Sequence, residues 1–341
     1  MPGAEAVGLL AGPAAPAADW PAPRQVPTTY PGAAPDHHYL LVDDRVVPLE
    51  VRWDGAAPTV TLADGRPLDA ALAAAGLPEL AERIPVLAYG ANRSPHSLAL
   101  KLAHHGYDAP GGTVAVPVLA GAIAGLDVVV AGLSSQGFVY ADVVPSPGTE
   151  ISVLLTLLDP GQVAAVHDSE GVGRGAYECA RLPGFTVAGT GRRLDVLAYA
   201  GCKPVFVSPV TGGPLAFAAI AATGRRFAAH DQVELMGRVL AETGIVAEVA
   251  ALVGLDAGRP PAEVGRELAR LLSGQWWYSH NTGDEPMATA VRAEELVWAA
   301  LGRFAAPQST AERLGAEGAL LSADEAYAAG PELRLGAQLG A

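Results

Sequence analysis

The sequence predicts an α+β fold, and three observations support this class. Residues 39–53 alternate apolar and polar side chains around a turn at Asp43-Asp44, which is the period of β-strands. Residues 84–88 form an apolar segment with the length of a buried strand. The C-terminal third places apolar residues at the i, i+3, i+4 spacing of amphipathic helices, in residues 231–240, 262–272 and 293–301.

Composition limits the classes of function. A chain of 341 residues with 50% hydrophobic content can form one large or two small domains. A net charge of −14 argues against a nucleic-acid partner, which needs clustered basic residues. Residues 113–133 are apolar, but Pro117 and Asp127 interrupt them, so we expect strands rather than a membrane span. The two cysteines, Cys179 and Cys202, predict no disulfide framework.

The first part of the chain divides into a tail and a small accessory layer. Residues 1–36 are rich in Ala, Pro and Gly without periodicity, so they predict a disordered tail. No basic residue precedes the apolar residues 6–15 and Pro13 interrupts them, so we expect no signal peptide and a cytoplasmic protein. Residues 37–83 contain three strand patterns and a short helix that ends at Gly76, which predicts a small β/α layer.

A glycine-rich bend at residues 166–177 carries the first candidate for chemistry, Glu170. Upstream, Asp159 has the character of a helix cap and Pro160 that of a first helical residue. Downstream, residues 177–182 return to strand-like spacing. Glu170 is therefore expected where a helix ends and a strand begins, which is a fixed position for a catalytic side chain.

A second candidate is the loop Tyr89-Gly90-Ala91-Asn92, which follows the apolar strand at residues 84–88. A helix is predicted to start at Ser94-Pro95 directly after it. We expect the glycine to allow a tight turn, so that successive main-chain N–H groups face a common anion. The loop therefore predicts an anion cradle, which is a set of main-chain N–H groups that bind one anion. A catalytic base would have to come from another part of the chain.

Together these two segments resemble the gamma-glutamylcyclotransferase superfamily. Its members carry a Tyr-Gly-Ser-Asn-Leu loop after the first strand and a Leu-Asp-x-x-Glu-Gly segment, followed by Tyr, that holds the catalytic glutamate. The matching residues here are Tyr89-Gly90-Ala91-Asn92, His167-Asp168-Ser169-Glu170-Gly171 and Tyr177. A strand with a Pro-Gly turn in residues 137–149 and a closing strand at 194–199 extend the resemblance over about residues 84–240.

The resemblance implies a compact mixed β-barrel flanked by helices, in a domain at residues 84–243. It also implies an activity: the intramolecular cyclisation of a gamma-glutamyl amine or peptide, with release of 5-oxoproline and a free amine. Glu170 would be the general base and the loop at Tyr89–Asn92 would bind the substrate. Tyr140, Tyr177 and Tyr199 are further candidates for substrate binding. The resemblance implies no cofactor and no metal ion.

Two departures from the family pattern keep other hypotheses open. Ala91 stands where the family has Ser, and Arg93 where it has an apolar residue, so a hydroxyl is lost and a charge is gained. These changes suit a catalytically inactive barrel that acts as a small-molecule-binding or scaffolding module. A third hypothesis keeps the pocket but changes the substrate to another small amide or carboxylate.

The C-terminal third leaves its role open. Residues 244–304 predict a helical extension, which would either cover the core or form a homo-oligomer interface. Residues 305–341 predict a loosely ordered tail, with one more helix near residues 322–329. Between the helices, the polar residues 280–285 follow the aromatic residues 276–278, and we interpret them as a loop held by packed aromatic rings.

Overall fold

The computed structural model describes residues 14–55, 57–105, 107, 112–278, 285–328 and 330–339, with the side chains of 274–278 and 285–288 excepted. Residues 1–13 of the predicted tail and residues 280–284 of the predicted aromatic-pinned loop lie outside this description. The strands are β1 (Ala15–Pro16), β2 (Tyr39–Val42), β3 (Arg45–Arg52), β4 (Thr59–Leu62), β5 (Ile84–Ala88), β6 (Ala115–Leu133), β7 (Val139–Leu158), β8 (Tyr177–Val187), β9 (Arg193–Gly201), β10 (Ala216–Phe217), β11 (Ala222–Thr223) and β12 (Ala229–His230).

The α-helices follow mainly after the strands, as the sequence predicts. They are α1 (Leu68–Ala74), α2 (Pro95–His104), α3 (Pro160–Glu170), α4 (Gln232–Thr243), α5 (Val246–Leu252), α6 (Pro261–Tyr278), α7 (Glu285–Gly302), α8 (Thr310–Ala316), α9 (Ala323–Ala328) and α10 (Leu335–Leu339). Within the described residues, no helix combines the length and the apolar character needed to cross a membrane.

Five strands close into a mixed β-barrel, which confirms the predicted α+β class and its barrel. Around the ring, β6 pairs with β7, β7 with β5, β5 with β9, β9 with β8, and β8 with β6 again. Every one of these pairings is antiparallel except that of β5 with β9. The long pairing of β6 with β7 contains two register shifts, and such irregularities bend a sheet toward closure.

The barrel interior explains why its strands are apolar. Side chains that alternate along the strands point to one interior cluster, which includes Leu119, Leu155 and Phe185. A second cluster lies on the other face of the sheet, where Leu154 and Leu158 pack with residues of α2 and α3. Because both faces of β5 and of the end of β7 are covered, their sequences are apolar almost throughout.

Residues 37–83 extend the barrel sheet rather than standing apart from it. The hairpin of β2 and β3 pairs with the start of β6, with Tyr39 opposite Val118, and β4 adds to the edge of β3. Helix α1 contributes Leu68 and Leu72 to the same apolar cluster as the barrel interior. The boundary near residue 83 therefore remains a proposal about organisation.

Two segments predicted to be mobile or loose are packed in the structure. Tyr30 is buried, its ring stacks on Phe138 at 4.6 Å between centroids, and its hydroxyl accepts a hydrogen bond from the Ala141 N–H at 2.9 Å. In residues 305–339, the Thr310 hydroxyl donates to the Val143 carbonyl at 2.8 Å and Leu314 is buried. Isolated buried side chains such as these produce no periodic pattern in the sequence. The prediction of tails, which covers 14–36 and 305–339 of the described residues, therefore rested on composition alone.

The pairing of β6 with β8 completes the ring of the barrel, and it contains the register pairs Gly121 with Val187 and Ala122 with Thr186. A Cβ atom on Gly121 would lie 2.3 Å from the Thr186 carbonyl oxygen and 2.4 Å from the Phe185 ring. The φ angle of Gly121 is outside the left-handed region, so only this close approach requires the glycine.

We therefore expect Gly121→Ala to lower the free energy of unfolding by about 2 kcal/mol, because strand backbone must move to admit a methyl group. Gly258→Ala is the matched control, since nothing lies within 4 Å of the position that its added methyl group would take, and it should change stability by less than about 1 kcal/mol. Urea denaturation of both variants measures the difference. Equal free energies of unfolding of the two variants would contradict the claim that the close contact between β6 and β8 requires glycine at position 121.

Candidate functional site

Helix α3 places Glu170 through signals that are local in sequence. Asp159 caps the helix by accepting from the Gln162 N–H, and the Gln162 side chain accepts in return from the Asp159 N–H. Pro160 occupies the first turn. The helix ends at Gly171, whose φ of 67° is in the left-handed region that favours glycine. Glu170 is consequently the last residue of a helix with two defined ends.

Gly90 begins the loop after β5, with a φ of −102° and a ψ of −142°. A Cβ atom there would lie 2.9 Å from the Tyr30 hydroxyl oxygen, so close packing of Tyr30 also favours glycine at this position. The residues Ala91–Arg93 form a short 3-10 helix, and the Ser94 side chain then caps α2 by accepting from the Ser97 N–H.

Glu170 and the loop meet directly. The Asn92 side-chain amide donates to Oε1 of Glu170 at 2.8 Å, and the Lys101 ammonium from α2 donates to the same oxygen. The side chains of Lys101 and Glu170 are only 21% and 16% exposed. Two donors from one helix-and-loop unit therefore hold a carboxylate that stands 69 or more positions away along the chain.

These residues line one cavity of about 650 Å³, which is large enough for a small organic ligand. All eight predicted site residues lie on its wall: Glu170, Tyr89, Gly90, Ala91, Asn92, Tyr140, Tyr177 and Tyr199. The structure thus brings together every candidate that the sequence proposed. Their catalytic and binding roles remain predictions.

Three of the four tyrosines are already engaged by protein partners. The Tyr89 hydroxyl donates to the Tyr199 carbonyl at 2.8 Å, and the Tyr177 hydroxyl donates to the Ala141 carbonyl at 3.1 Å. The Tyr199 hydroxyl lies 2.9 Å from Nδ1 of His167. Burial raises the pKa of all three phenols well above the ordinary value, so they stay neutral. These hydroxyls fix the walls of the cavity.

Tyr140 differs from the other tyrosines. No hydrogen bond between described residues uses its hydroxyl, although burial raises the pKa of this phenol too. Its ring lies 6.2 Å from that of Trp298. Because its hydroxyl bonds to no described residue, Tyr140 stays the candidate among the four tyrosines with a free hydroxyl on the cavity wall, as far as the structure describes the chain.

Main-chain donors of the loop are also available. Among the hydrogen bonds between described residues, none starts from the N–H of Gly90, Ala91 or Asn92. The N–H groups of Arg93 and Ser94, by contrast, donate to carbonyls of the same turn. Gly90, Ala91 and Asn92 all line the cavity, so the anion cradle at this loop stays a prediction.

The two departures from the family pattern have different consequences. Arg93 is directed away from the cavity wall, and its guanidinium donates to the Ala219 carbonyl at 2.9 Å. Burial lowers the pKa of this guanidinium, which still remains charged. Arg93 therefore ties the loop to the segment before β11 and brings no charge to the cavity. Ala91 does line the cavity, so the hydroxyl that the family has there is lost.

Sequence reasoning missed further residues of the cavity wall, among them Lys101, Lys203 and Trp298. Lys101 bonds to Glu170, as described above. Trp298 comes from α7 in the C-terminal extension and packs closely over Gly132, and the Lys203 ammonium lies 4.1 Å from the centroid of its ring. For the two lysines, the sequence did hold a signal that could have identified them: Lys101 and Lys203 are the only lysines in the chain.

A buried carboxyl group lies next to the cavity wall. Asp142 is fully buried on β7, and it accepts from the Gly201 N–H at 3.1 Å and the Val143 N–H at 2.8 Å. Burial raises the pKa of Asp142 to about 6, against hydrogen bonds that act in the opposite direction. The neighbouring residues Tyr140 and Ala141 line the cavity, so this group supports the site from behind.

Comparison with known proteins gives only a distant resemblance. No protein-family model and no curated protein matches the chain. A solved structure named gamma-glutamyl cyclotransferase is similar at 17% identity, over 35% of this chain and 66% of that one, with a TM-score of 0.27. A structure of the Homo sapiens uncharacterized protein loc79017 is similar at 17% identity, over the same shares, with a TM-score of 0.26.

The present chain thus spans slightly less than two thirds of the length of those two proteins. Similarity at this level describes a remote relationship between folds. It does not transfer the activity of either protein.

Asp142 makes stability depend on pH in a predictable direction. Its ordinary pKa is 3.8, so between about pH 4 and pH 6 the folded state keeps a proton that the unfolded chain has released. The free energy of unfolding should therefore fall as the pH rises through this window. Asp142→Asn removes this contribution, because an amide does not ionise while its oxygen can still accept from the Gly201 and Val143 N–H groups.

Urea denaturation from about pH 4 to pH 7 measures the effect. We expect the wild type to lose on the order of 2 kcal/mol more than Asp142→Asn across this range. Comparing the two curves cancels the other titrating groups that they share. Parallel curves would show that burial does not perturb this carboxyl.

Proposed function

We propose that this protein is a gamma-glutamylcyclotransferase-like enzyme that releases 5-oxoproline from a gamma-glutamyl amine or peptide. The observation that carries the proposal is that a carboxylate, Glu170, and the unengaged N–H groups of the loop Gly90–Asn92 share one cavity. A general base and anion donors are two of the components that ring closure on an amide uses.

The proposed chemistry needs no nucleophile from the protein. A gamma-glutamyl compound carries an amine and a side-chain carbonyl on one carbon skeleton, so a cavity that folds the substrate makes amide cleavage intramolecular. The amine nitrogen attacks the carbonyl carbon and loses a proton, for which Glu170 is the acceptor. The carbonyl oxygen gains negative charge, and the leaving nitrogen must gain a proton as its bond to carbon breaks.

Such a substrate presents two anionic groups that the loop could bind. The N–H groups of the loop would bind either the developing oxyanion or the carboxylate of the glutamyl group. In both cases the substrate would lie near Glu170, because Asn92 of the same loop donates to that carboxylate at 2.8 Å. The hydroxyl of Tyr140 would contact the same substrate from the opposite strand, β7.

A catalytically inactive binding module is the second candidate, and two observations favour it. Ala91 removes a hydroxyl from the cradle, and the ammonium of Lys101 already occupies one oxygen of Glu170. A module of this kind would bind small acids or gamma-glutamyl compounds without converting them. A ligand that binds the native state raises the melting temperature, so a thermal-shift screen detects this function without any turnover.

Activity on a panel of gamma-glutamyl amides tests the first proposal. Mass spectrometry should detect 5-oxoproline with wild-type protein, and Glu170→Gln should lower the rate at least about 100-fold because the proton acceptor is lost. Circular dichroism should show that the variant remains folded. The exposed Glu248, which does not line the cavity, supplies the control Glu248→Gln, and that variant should keep full activity.

The outcomes separate the candidates. Melting-temperature shifts without 5-oxoproline would favour the binding module. Equal activity of Glu170→Gln and the wild type would remove Glu170 from the mechanism.

A further inference from the structure

Lys101 occupies a position that the proposed function does not yet use. It lies on α2, about two turns beyond the loop that forms the cradle, and its ammonium donates to the same oxygen of Glu170 as Asn92 does. Both Lys101 and Glu170 line the cavity and are largely shielded from solvent. The pair is therefore located where a substrate would be, whereas an ordinary surface ion pair faces bulk water.

The choice of lysine is informative in this chain. Arginine supplies all but two of its 22 basic residues. Among the ion pairs between described side chains, only Lys101–Glu170 uses lysine, and the others use arginine or histidine. A structural pair can use arginine equally well, but an arginine does not lose its proton in a protein. Lysine at this position is suited to transferring a proton.

From these contacts we infer that Lys101 is a second catalytic residue of the proposed reaction and donates the proton that the leaving nitrogen needs. The inference rests on the proposed function. Glu170 then acts as the acceptor on the attacking side and Lys101 as the donor on the leaving side. The hydrogen bond between them connects the two halves of the proton transfer.

The steps balance in atoms and charge. The substrate amine, in its neutral form, bonds to the carbonyl carbon and gives one proton to the Glu170 carboxylate. The bond from that carbon to the leaving nitrogen breaks, and this nitrogen takes a proton from the Lys101 ammonium. The products are 5-oxoproline and a free amine, with a protonated Glu170 and a neutral Lys101. The proton then passes from Glu170 to Lys101 and restores the initial state.

A proton donor matters most when the leaving amine is strongly basic. An alkylamine departs from a tetrahedral carbon only after protonation, whereas 4-nitroaniline is so weakly basic that it departs without it. Loss of the donor should therefore slow an alkylamide much more than an anilide. A residue that merely positioned Glu170 as the proton acceptor would affect both substrates equally, since Glu170 takes the same proton from each. If Glu170 itself returned that proton to the leaving nitrogen, Lys101→Arg, which keeps the positive charge beside Glu170, would leave both rates nearly unchanged.

The experiment compares wild type, Lys101→Arg and Lys101→Met on gamma-glutamyl-ethylamide and gamma-glutamyl-4-nitroanilide. Arginine keeps the positive charge beside Glu170 but does not release a proton. We expect Lys101→Arg to lower kcat at least about 100-fold on the ethylamide and less than about tenfold on the nitroanilide, with KM little changed. Lys101→Met should show the same difference between substrates, with a larger loss on both.

Lys203→Arg is the matched control, because it changes the other lysine of the same cavity in the same way. It should change the rates of the two substrates by one common factor. If Lys101→Arg slows both substrates equally, or slows neither, Lys101 is not the proton donor, and the inference fails while the proposed function stands. If the wild type converts neither substrate, the proposed function fails as well.

Discussion

The candidate site depends on the contact that Asn92 and Lys101 make with the carboxylate of Glu170, since this contact joins the end of helix α3 to the loop and the helix that follow β5. The pairing of β5 with β7 explains how the parts meet. Leu158, the end of β7, lies opposite Ile84, the start of β5. Helix α3 then runs for 11 residues, or about 16 Å, which is enough to return the chain to the far end of β5. There Glu170 reaches the loop.

The extensions beyond the barrel also contribute to the cavity. Tyr30 from the N-terminal segment closes against the loop and Phe138, and Trp298 from α7 closes against Gly132 on β6. Both aromatic side chains are on the cavity wall. The additional length of the chain thus has a physical consequence, because residues from both ends shape the space in which a ligand would lie.

Sequence reasoning found those features that depend on local signals. The cap at Asp159, the proline at the start of α3 and the glycine at its end are readable from neighbouring residues, and the resemblance added the barrel. The contribution of Tyr30 was missed because a single aromatic anchor in a Pro- and Gly-rich segment has no period. Lys101 was missed because its partner is 69 positions away. The close approach of Tyr30 to Gly90 was missed for the same reason, because it joins residues that are far apart in the chain.

Labelled water offers the most direct measurement of the central claim, that the cavity closes a substrate amine onto its own carbonyl beside Glu170. The reaction with a gamma-glutamyl amide is run in water enriched in oxygen-18, and the products are analysed by mass spectrometry. Intramolecular closure predicts 5-oxoproline without the heavy isotope, because no water oxygen enters the product. Glutamate carrying oxygen-18 would reveal hydrolysis, and it would contradict the account.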